Sequence, residues 1–171
     1  MPDGQVLTVN RVKSASQEHT TDRGSATCES CPAHSDSPVG SIAVTACTCN
    51  AGSSGADGGG CTQCVVGTYA GVGAAACEDC PPDSSSPAQS TAVTACTCNA
   101  GSTGLDGGTC TECVAGKYKA AGGNVNCADC PANSHSFAGS TMHTGCTCNL
   151  GSSGPDGEMC NQCVAVQGQG G

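Results

Sequence analysis

The chain has no tryptophan, one phenylalanine and two tyrosines in 171 residues. Aromatic side chains dominate the buried area of ordinary cores, so an interior built on them is excluded. Basic residues are also scarce: five Lys and Arg stand against fourteen Asp and Glu, a formal net charge of -9. With no basic run anywhere, nucleic acid and anionic membrane are poor partners. The acidic residues are scattered through loops, a pattern that serves solubility. No stretch approaches the ~20 apolar residues that a membrane-spanning helix needs. The start, MPDGQVLTVNRVKSASQEH, has no basic segment followed by an apolar one and does not read as a secretory leader. There is no N-x-Ser/Thr sequon, which leaves O-linked sugar on the Ser/Thr-rich loops as the open glycan chemistry.

What the chain has is cysteine. Eighteen cysteines fall into three copies of the spacing C-x2-C-x15-C-x-C-x11-C-x2-C. The first copy is Cys28, Cys31, Cys47, Cys49, Cys61 and Cys64; the second is Cys77, Cys80, Cys96, Cys98, Cys110 and Cys113; the third is Cys127, Cys130, Cys146, Cys148, Cys160 and Cys163. The counts between cysteines persist while the residues between them drift, as happens when cysteine geometry defines the fold. A period of about 50 residues marks small repeated units. A core of this size and composition is marginal without cross-links. A disulfide closing a loop of ~15 residues is worth ~3 kcal/mol in the chain-entropy model, so three per repeat contribute roughly 6–12 kcal/mol. Such bonds persist in an oxidising compartment, which places the chain outside the cell or on its surface.

The chain divides into a polar segment, 1–27; cysteine-rich repeats at 28–76, 77–126 and 127–163; and a Gly/Gln tail, 164–171. The first segment reads as largely disordered, apart from a short strand expected at Val6–Val12. Each repeat has Pro after its first C-x2-C (Pro32, Pro81, Pro131), then recurrent serines at Ser35/Ser84/Ser134 and Ser41/Ser90/Ser140. Short polar residues there favour turns. Ile42-Ala43-Val44-Thr45 and Thr91-Ala92-Val93-Thr94 read as short strands. The following C-x-C places two cysteines on one face of an extended segment, reaching partners on either side. Asp-Gly at 57–58, 106–107 and 156–157 signals hairpin turns, because Gly takes positive φ without cost. Helix is not expected, since no 3.6-residue apolar pattern survives the glycines. The links between repeats both contain C-V-x-G-x-Y, and their tyrosines, Tyr69 and Tyr118, are the candidates for inter-repeat packing.

Rival chemistries are weaker. Cys28, Cys31, Cys61 and Cys64 have the composition of a structural zinc site, but the C-x-C has no role in it. The histidines do not recur with the repeat either: His34 aligns with Asp83 and Asn133, and His143 with Val44 and Val93. An intracellular zinc-stabilised scaffold is therefore the second reading, with no metal or cofactor expected under the first. A redox C-x2-C needs a thiolate held at a helix N-terminus, and here the motif recurs six times among turns. No nucleophile-elbow sequence appears, so no catalytic residues are assigned.

The run C-V-A-G-K-Y-x-A-x-G-G-x3-C-x2-C-P-A-N-S at 113–134, followed by G-S-T-x4-C-x-C-N-x-G-S-x-G-x-D-G, resembles the cysteine-rich repeat of ephrin-receptor-like ectodomains. That class is related in style to EGF-like and tumour-necrosis-factor-receptor-like modules, and the resemblance covers residues 28–163. It implies a non-enzymatic extracellular segment that acts as a spacer or as an adhesion or receptor-like contact surface, with a protein partner or self-association. Ser53, Ser102 and Ser152 stand where the EGF pattern has an aromatic, so the likeness is to the bond frame, and no calcium-binding lead-in is present. EGF-style pairing would join 64 to 80, 77 to 96 and 98 to 110; a sequential version joins 64 to 77, 80 to 96 and 98 to 110. Either frame leaves Cys163 and one of Cys28 or Cys31 without a partner in the chain, which reads as an interior stretch of a larger secreted or membrane protein. The expected fold is thus small and disulfide-rich: an elongated tandem array of three ~50-residue units with short antiparallel β-hairpins.

Overall fold

A computed structural model describes residues 19–20 and 29–164 of the chain. The short strand expected at Val6–Val12 lies outside the described residues. The chain is a succession of two-stranded antiparallel hairpins with two residues per strand. Three kinds of hairpin alternate. A linker hairpin pairs His19–Thr20 with Glu29–Ser30, Thr68–Tyr69 with Glu78–Asp79, and Lys117–Tyr118 with Ala128–Asp129. A central hairpin pairs Ser35–Asp36 with Thr48–Cys49, Ser84–Ser85 with Thr97–Cys98, and Ser134–His135 with Thr147–Cys148. A loop hairpin pairs Ser53–Ser54 with Thr62–Gln63, Ser102–Thr103 with Thr111–Glu112, and Ser152–Ser153 with Asn161–Gln162.

Recurrent side chains build these elements locally. Ser35, Ser84 and Ser134 each donate both N–H and hydroxyl to the carbonyl of the proline three residues back, with hydroxyl distances of 2.7, 2.6 and 2.7 Å. The residue before each serine has positive φ: His34 at 62°, Asp83 at 59° and Asn133 at 60°. Asn, Asp and His are the non-glycine types enriched in that left-handed region, which accounts for the drift among them.

The segments before the C-x-C are not strands. Val44–Ala46, Val93–Ala95 and His143–Gly145 form single 3-10 turns, closed by hydrogen bonds such as Cys47 N–H to the Val44 carbonyl at 2.9 Å. A β-branched residue favours a strand when it packs on a sheet face. Val44 is 49% exposed and packs on no such face, so local turn closure prevails.

The Asp-Gly pairs fall in hairpin loops, though not as two-residue turns. Asp57-Gly58 lies within the longer loop joining Ser53–Ser54 to Thr62–Gln63. Gly58, Gly107 and Gly157, at φ 74°, 73° and 81°, donate to the carbonyls of Cys47, Cys96 and Cys146 at 2.8, 2.7 and 2.8 Å. The loop is thereby folded back onto the 3-10 turn.

Disulfides hold the centre. Among the described residues, the buried apolar side chains are Ala70 and nine cysteines: Cys47, Cys49, Cys64, Cys96, Cys98, Cys110, Cys113, Cys146 and Cys160. In the first two repeats both cysteines of the C-x-C are buried, while the Thr between them is half-exposed, as one extended face requires. Among the described residues, the most distant hydrogen bonds link positions fewer than about 30 apart, such as Cys160 N–H to the Ala132 carbonyl at 3.1 Å. Each unit therefore leans on its sequence neighbours, the condition of a quasi-one-dimensional array.

Candidate functional site: the repeat junctions

The bonding frame is sequential. Disulfides join Cys31 to Cys47, Cys49 to Cys61, Cys64 to Cys77, Cys80 to Cys96, Cys98 to Cys110, Cys113 to Cys127, Cys130 to Cys146, and Cys148 to Cys160. The EGF-style alternative is corrected at Cys64 and Cys77, which bond to each other because the linker hairpin brings their Cα atoms to 5.7 Å. Of the cysteines with zinc-site composition, Cys31, Cys61 and Cys64 are bonded to three different partners, so they do not converge. Cys163 is free and exposed, and Cys28 lies outside the described residues.

Two bonds, Cys64–Cys77 and Cys113–Cys127, cross the divisions drawn at 76/77 and 126/127. Around each, four backbone contacts repeat. Gly52 N–H donates to the Ala70 carbonyl at 2.8 Å, and Gly101 N–H to the Lys119 carbonyl at 2.9 Å. Gln89 N–H donates back to the Cys64 carbonyl, and Gly139 N–H to the Cys113 carbonyl, both at 2.8 Å. Gly67 and Gly116 donate to the carbonyls of Ser86 and Ser136 at 2.8 and 2.9 Å. Ala70 and Lys119 donate to Ser90 and Ser140, both at 3.0 Å. The buried hydroxyls of Ser86 and Ser136 complete the seam by donating to the carbonyls of Thr68 and Lys117 at 3.0 and 2.9 Å.

Tyr69 and Tyr118 lie inside this seam. Both are half-buried and form isolated parallel bridges, Tyr69 with Ser90 and Tyr118 with Ser140. The Tyr69 hydroxyl donates to Glu78 Oε2 at 2.7 Å, which pushes the phenol pKa above its ordinary value. Tyr118 instead faces the His143 ring, with centroids 6.4 Å apart and planes at 55°.

The residue that sequence reasoning missed is Lys119. It is 3% exposed, and its Nζ donates to the carbonyls of Ser102 and Gly123 at 2.6 Å and of Cys98 at 3.3 Å. Burial lowers its pKa from the ordinary lysine value, while the charge of Asp106 opposes the shift. Its counterpart in the first junction is the buried Ala70. The signal in the sequence was the longer link: Cys113 and Cys127 are 14 apart, Cys64 and Cys77 only 13.

Residues 101–147 match the family model described as tyrosine-protein kinase ephrin type A/B receptor-like. The match runs from the loop hairpin of one unit through the second junction into the next C-x-C. It bears out the resemblance to an ephrin-receptor-like cysteine-rich repeat. No curated protein matches the sequence.

Proposed function

We propose that this chain is a non-enzymatic, extracellular spacer within a larger secreted or surface-bound structure, and that its exposed loops offer a contact surface to a protein partner. The observation that carries the reading is covalent continuity: Cys64–Cys77 and Cys113–Cys127 fasten each unit to the next, within a core made almost wholly of cystine. A linear array cross-linked at each junction resists hinge motion and local unfolding, as a spacer requires. Disulfide density of this order supports an oxidising compartment. The ephrin-receptor-like match over residues 101–147 supports a non-catalytic module of extracellular type. Tyr69 and Tyr118 serve in this proposal as the packing residues of the junctions. Exposed apolar side chains, Val39 at 91%, Leu105 at 77% and Phe137 at 85%, favour a protein contact.

A thiol titration of native protein, paired with elemental analysis for zinc, tests the foundation. The expected result is few free thiols and no stoichiometric metal. Most of the eighteen cysteines free, with zinc bound, would establish the scaffold reading instead. Small-angle scattering before and after reduction then tests the spacer: the native maximum dimension should collapse into a broad distribution once the cystines open.

A further inference from the structure

The Asp-Gly pairs at 57–58, 106–107 and 156–157 share one backbone geometry. Each pair forms the middle of a four-residue turn, closed by Gly59 N–H to the Ala56 carbonyl at 2.9 Å, Gly108 N–H to that of Leu105 at 2.9 Å, and Glu158 N–H to that of Pro155 at 3.2 Å. The paired glycines have φ 74°, 73° and 81°, and none of the three aspartates has positive φ. That combination is a type II turn, in which the first central residue has ψ of about +120°. The three carboxylates are exposed to water, and the three glycines are half-buried.

Aspartate before glycine is a reactive dipeptide, because the glycine nitrogen can attack the side-chain carboxyl carbon with no Cβ to shield it. Ring closure needs the aspartate ψ on the negative side and a glycine amide free of other partners. Neither condition holds in the folded loop. The N–H groups of Gly58, Gly107 and Gly157 are committed to the carbonyls of Cys47, Cys96 and Cys146 at 2.8, 2.7 and 2.8 Å. Those cysteines are 1%, 1% and 0% exposed and are bonded to Cys31, Cys80 and Cys130. A second cystine closes the loop that carries each pair: Cys49–Cys61, Cys98–Cys110 or Cys148–Cys160. The same packing demands the glycine. A Cβ at Gly58 or Gly107 would lie 2.9 Å from the carbonyl oxygen of Val44 or Val93, and one at Gly157 would lie 2.6 Å from His143 Cδ2. The frame that restrains the reactive dipeptide therefore also requires it in every repeat.

We propose that each repeat carries a self-modification site, its Asp-Gly pair, gated by its own cystines: the closed repeat suppresses the reaction, and the opened repeat converts its aspartate to isoaspartate. The glycine nitrogen bonds to the aspartate Cγ, and the amide hydrogen leaves with the hydroxyl of the protonated carboxyl as one water. The product is a succinimide. Water then cleaves either of the two ring bonds to nitrogen. Cleavage at Cγ restores aspartate; cleavage at the main-chain carbonyl leaves the chain running through the side-chain carboxyl, one carbon longer. No oxidant or other co-reactant enters, and a repeat once opened by a thiol reductant keeps a permanent mark.

The test follows isoaspartate by peptide mapping with electron-transfer fragmentation, which distinguishes the two linkages and separates these sites from Asp3-Gly4. Native full chain and chain that has been reduced and S-alkylated are aged side by side at neutral pH. All three sites of the reduced chain should accumulate isoaspartate at similar rates. In the native chain each should be slower by at least about tenfold, since reaction waits on local opening. Equal rates in the two samples would overturn the proposal. The oxidised Cys98→Ala/Cys110→Ala variant isolates one gate: isoaspartate should rise at 106 and stay slow at 57 and 156. A rise at all three sites, or at none, would rule out gating repeat by repeat.

Discussion

The ammonium of Lys119 donates to the carbonyl oxygen of Ser102 at 2.6 Å, across a junction whose counterpart is filled by the methyl of Ala70. One lysine thus gathers three carbonyls, those of Cys98, Ser102 and Gly123, that the longer second link would otherwise leave without that donor. A hydrogen bond to a charged group contributes about 1.5–3 kcal/mol, and the bonds in one cluster are not additive. Lys119→Ala should therefore lower stability by about 2–3 kcal/mol, read as a shift in the urea midpoint.

The same lysine sets a pH dependence. Burial lowers its folded-state pKa below the ordinary lysine value of 10.5, so between the lowered value and 10.5 the unfolded chain binds more protons than the folded one. Stability must then rise with pH across that alkaline window. In a Cys163→Ser background, which prevents thiolate exchange, the urea midpoint should climb with pH relative to that of the added Lys119→Ala variant. Parallel midpoints across the window would show that Lys119 titrates as a solvated lysine.

Why Lys119 was hidden while the frame was plain follows from what each residue answers to. The C-x-C pairs announced themselves because alternation alone puts Cys47 and Cys49 on one face, and both are buried. Ser35, Ser84 and Ser134 were legible as turn residues because their partner, a proline carbonyl, is three residues away. The strand expected at Thr91-Ala92-Val93-Thr94 gives way to the Val93–Ala95 turn because β-branching signals sheet only when there is a sheet face to pack on. The choice between 64–77 and 64–80 pairing depended on a linker hairpin whose two-residue strands leave no periodic trace. Lys119 depended on carbonyls up to 21 residues away, which no local pattern encodes.

Glycine is required at 101 for two separable reasons. Its φ is 79°, and a Cβ there would lie 2.4 Å from the Gly139 carbonyl oxygen and 3.1 Å from Thr141 Cγ2. Gly151 shares the backbone, at φ 80°, without the neighbours among the described residues. Left-handed strain costs an alanine roughly 1–2 kcal/mol at either site. Gly101→Ala should lose about 2 kcal/mol more than Gly151→Ala, because backbone must shift to admit the methyl. Thermal melts of the two variants under identical conditions check this, and equal losses would show that the junction is looser than its contacts indicate.

Cystine acts here as cross-link and core at once. Cys98 is 0% exposed and Cys110 7%, so replacing both by alanine removes a bond and opens the packed centre of the second repeat. The cross-link alone is worth about 3 kcal/mol for a loop of this order. The same replacement at Cys148 and Cys160 opens a loop of equal separation, 12, but Cys148 is only half-buried. The interior pair should therefore cost more, and limited proteolysis should cut the second repeat of the Cys98/Cys110 variant before either of the other two repeats.

The Tyr69–Glu78 pair offers a test of the first junction that needs no unfolding. The phenol donates to the Glu78 carboxylate, and ionisation would end that bond and place two negative charges together, so the tyrosine pKa is raised above 10.0. The sign follows: the pair contributes below the ordinary tyrosine value, and the contribution is lost as pH rises through the higher folded value. In Tyr118→Phe protein, tyrosinate absorbance reports Tyr69 alone, since the chain has two tyrosines. Its midpoint should lie above 10.0 and fall toward that value in the added Glu78→Gln variant, where the acceptor remains but the charge is gone. An unchanged midpoint would mean that the hydroxyl and the carboxylate are not paired in solution, and that the bridge from Tyr69 to Ser90 holds the junction without help from the ring.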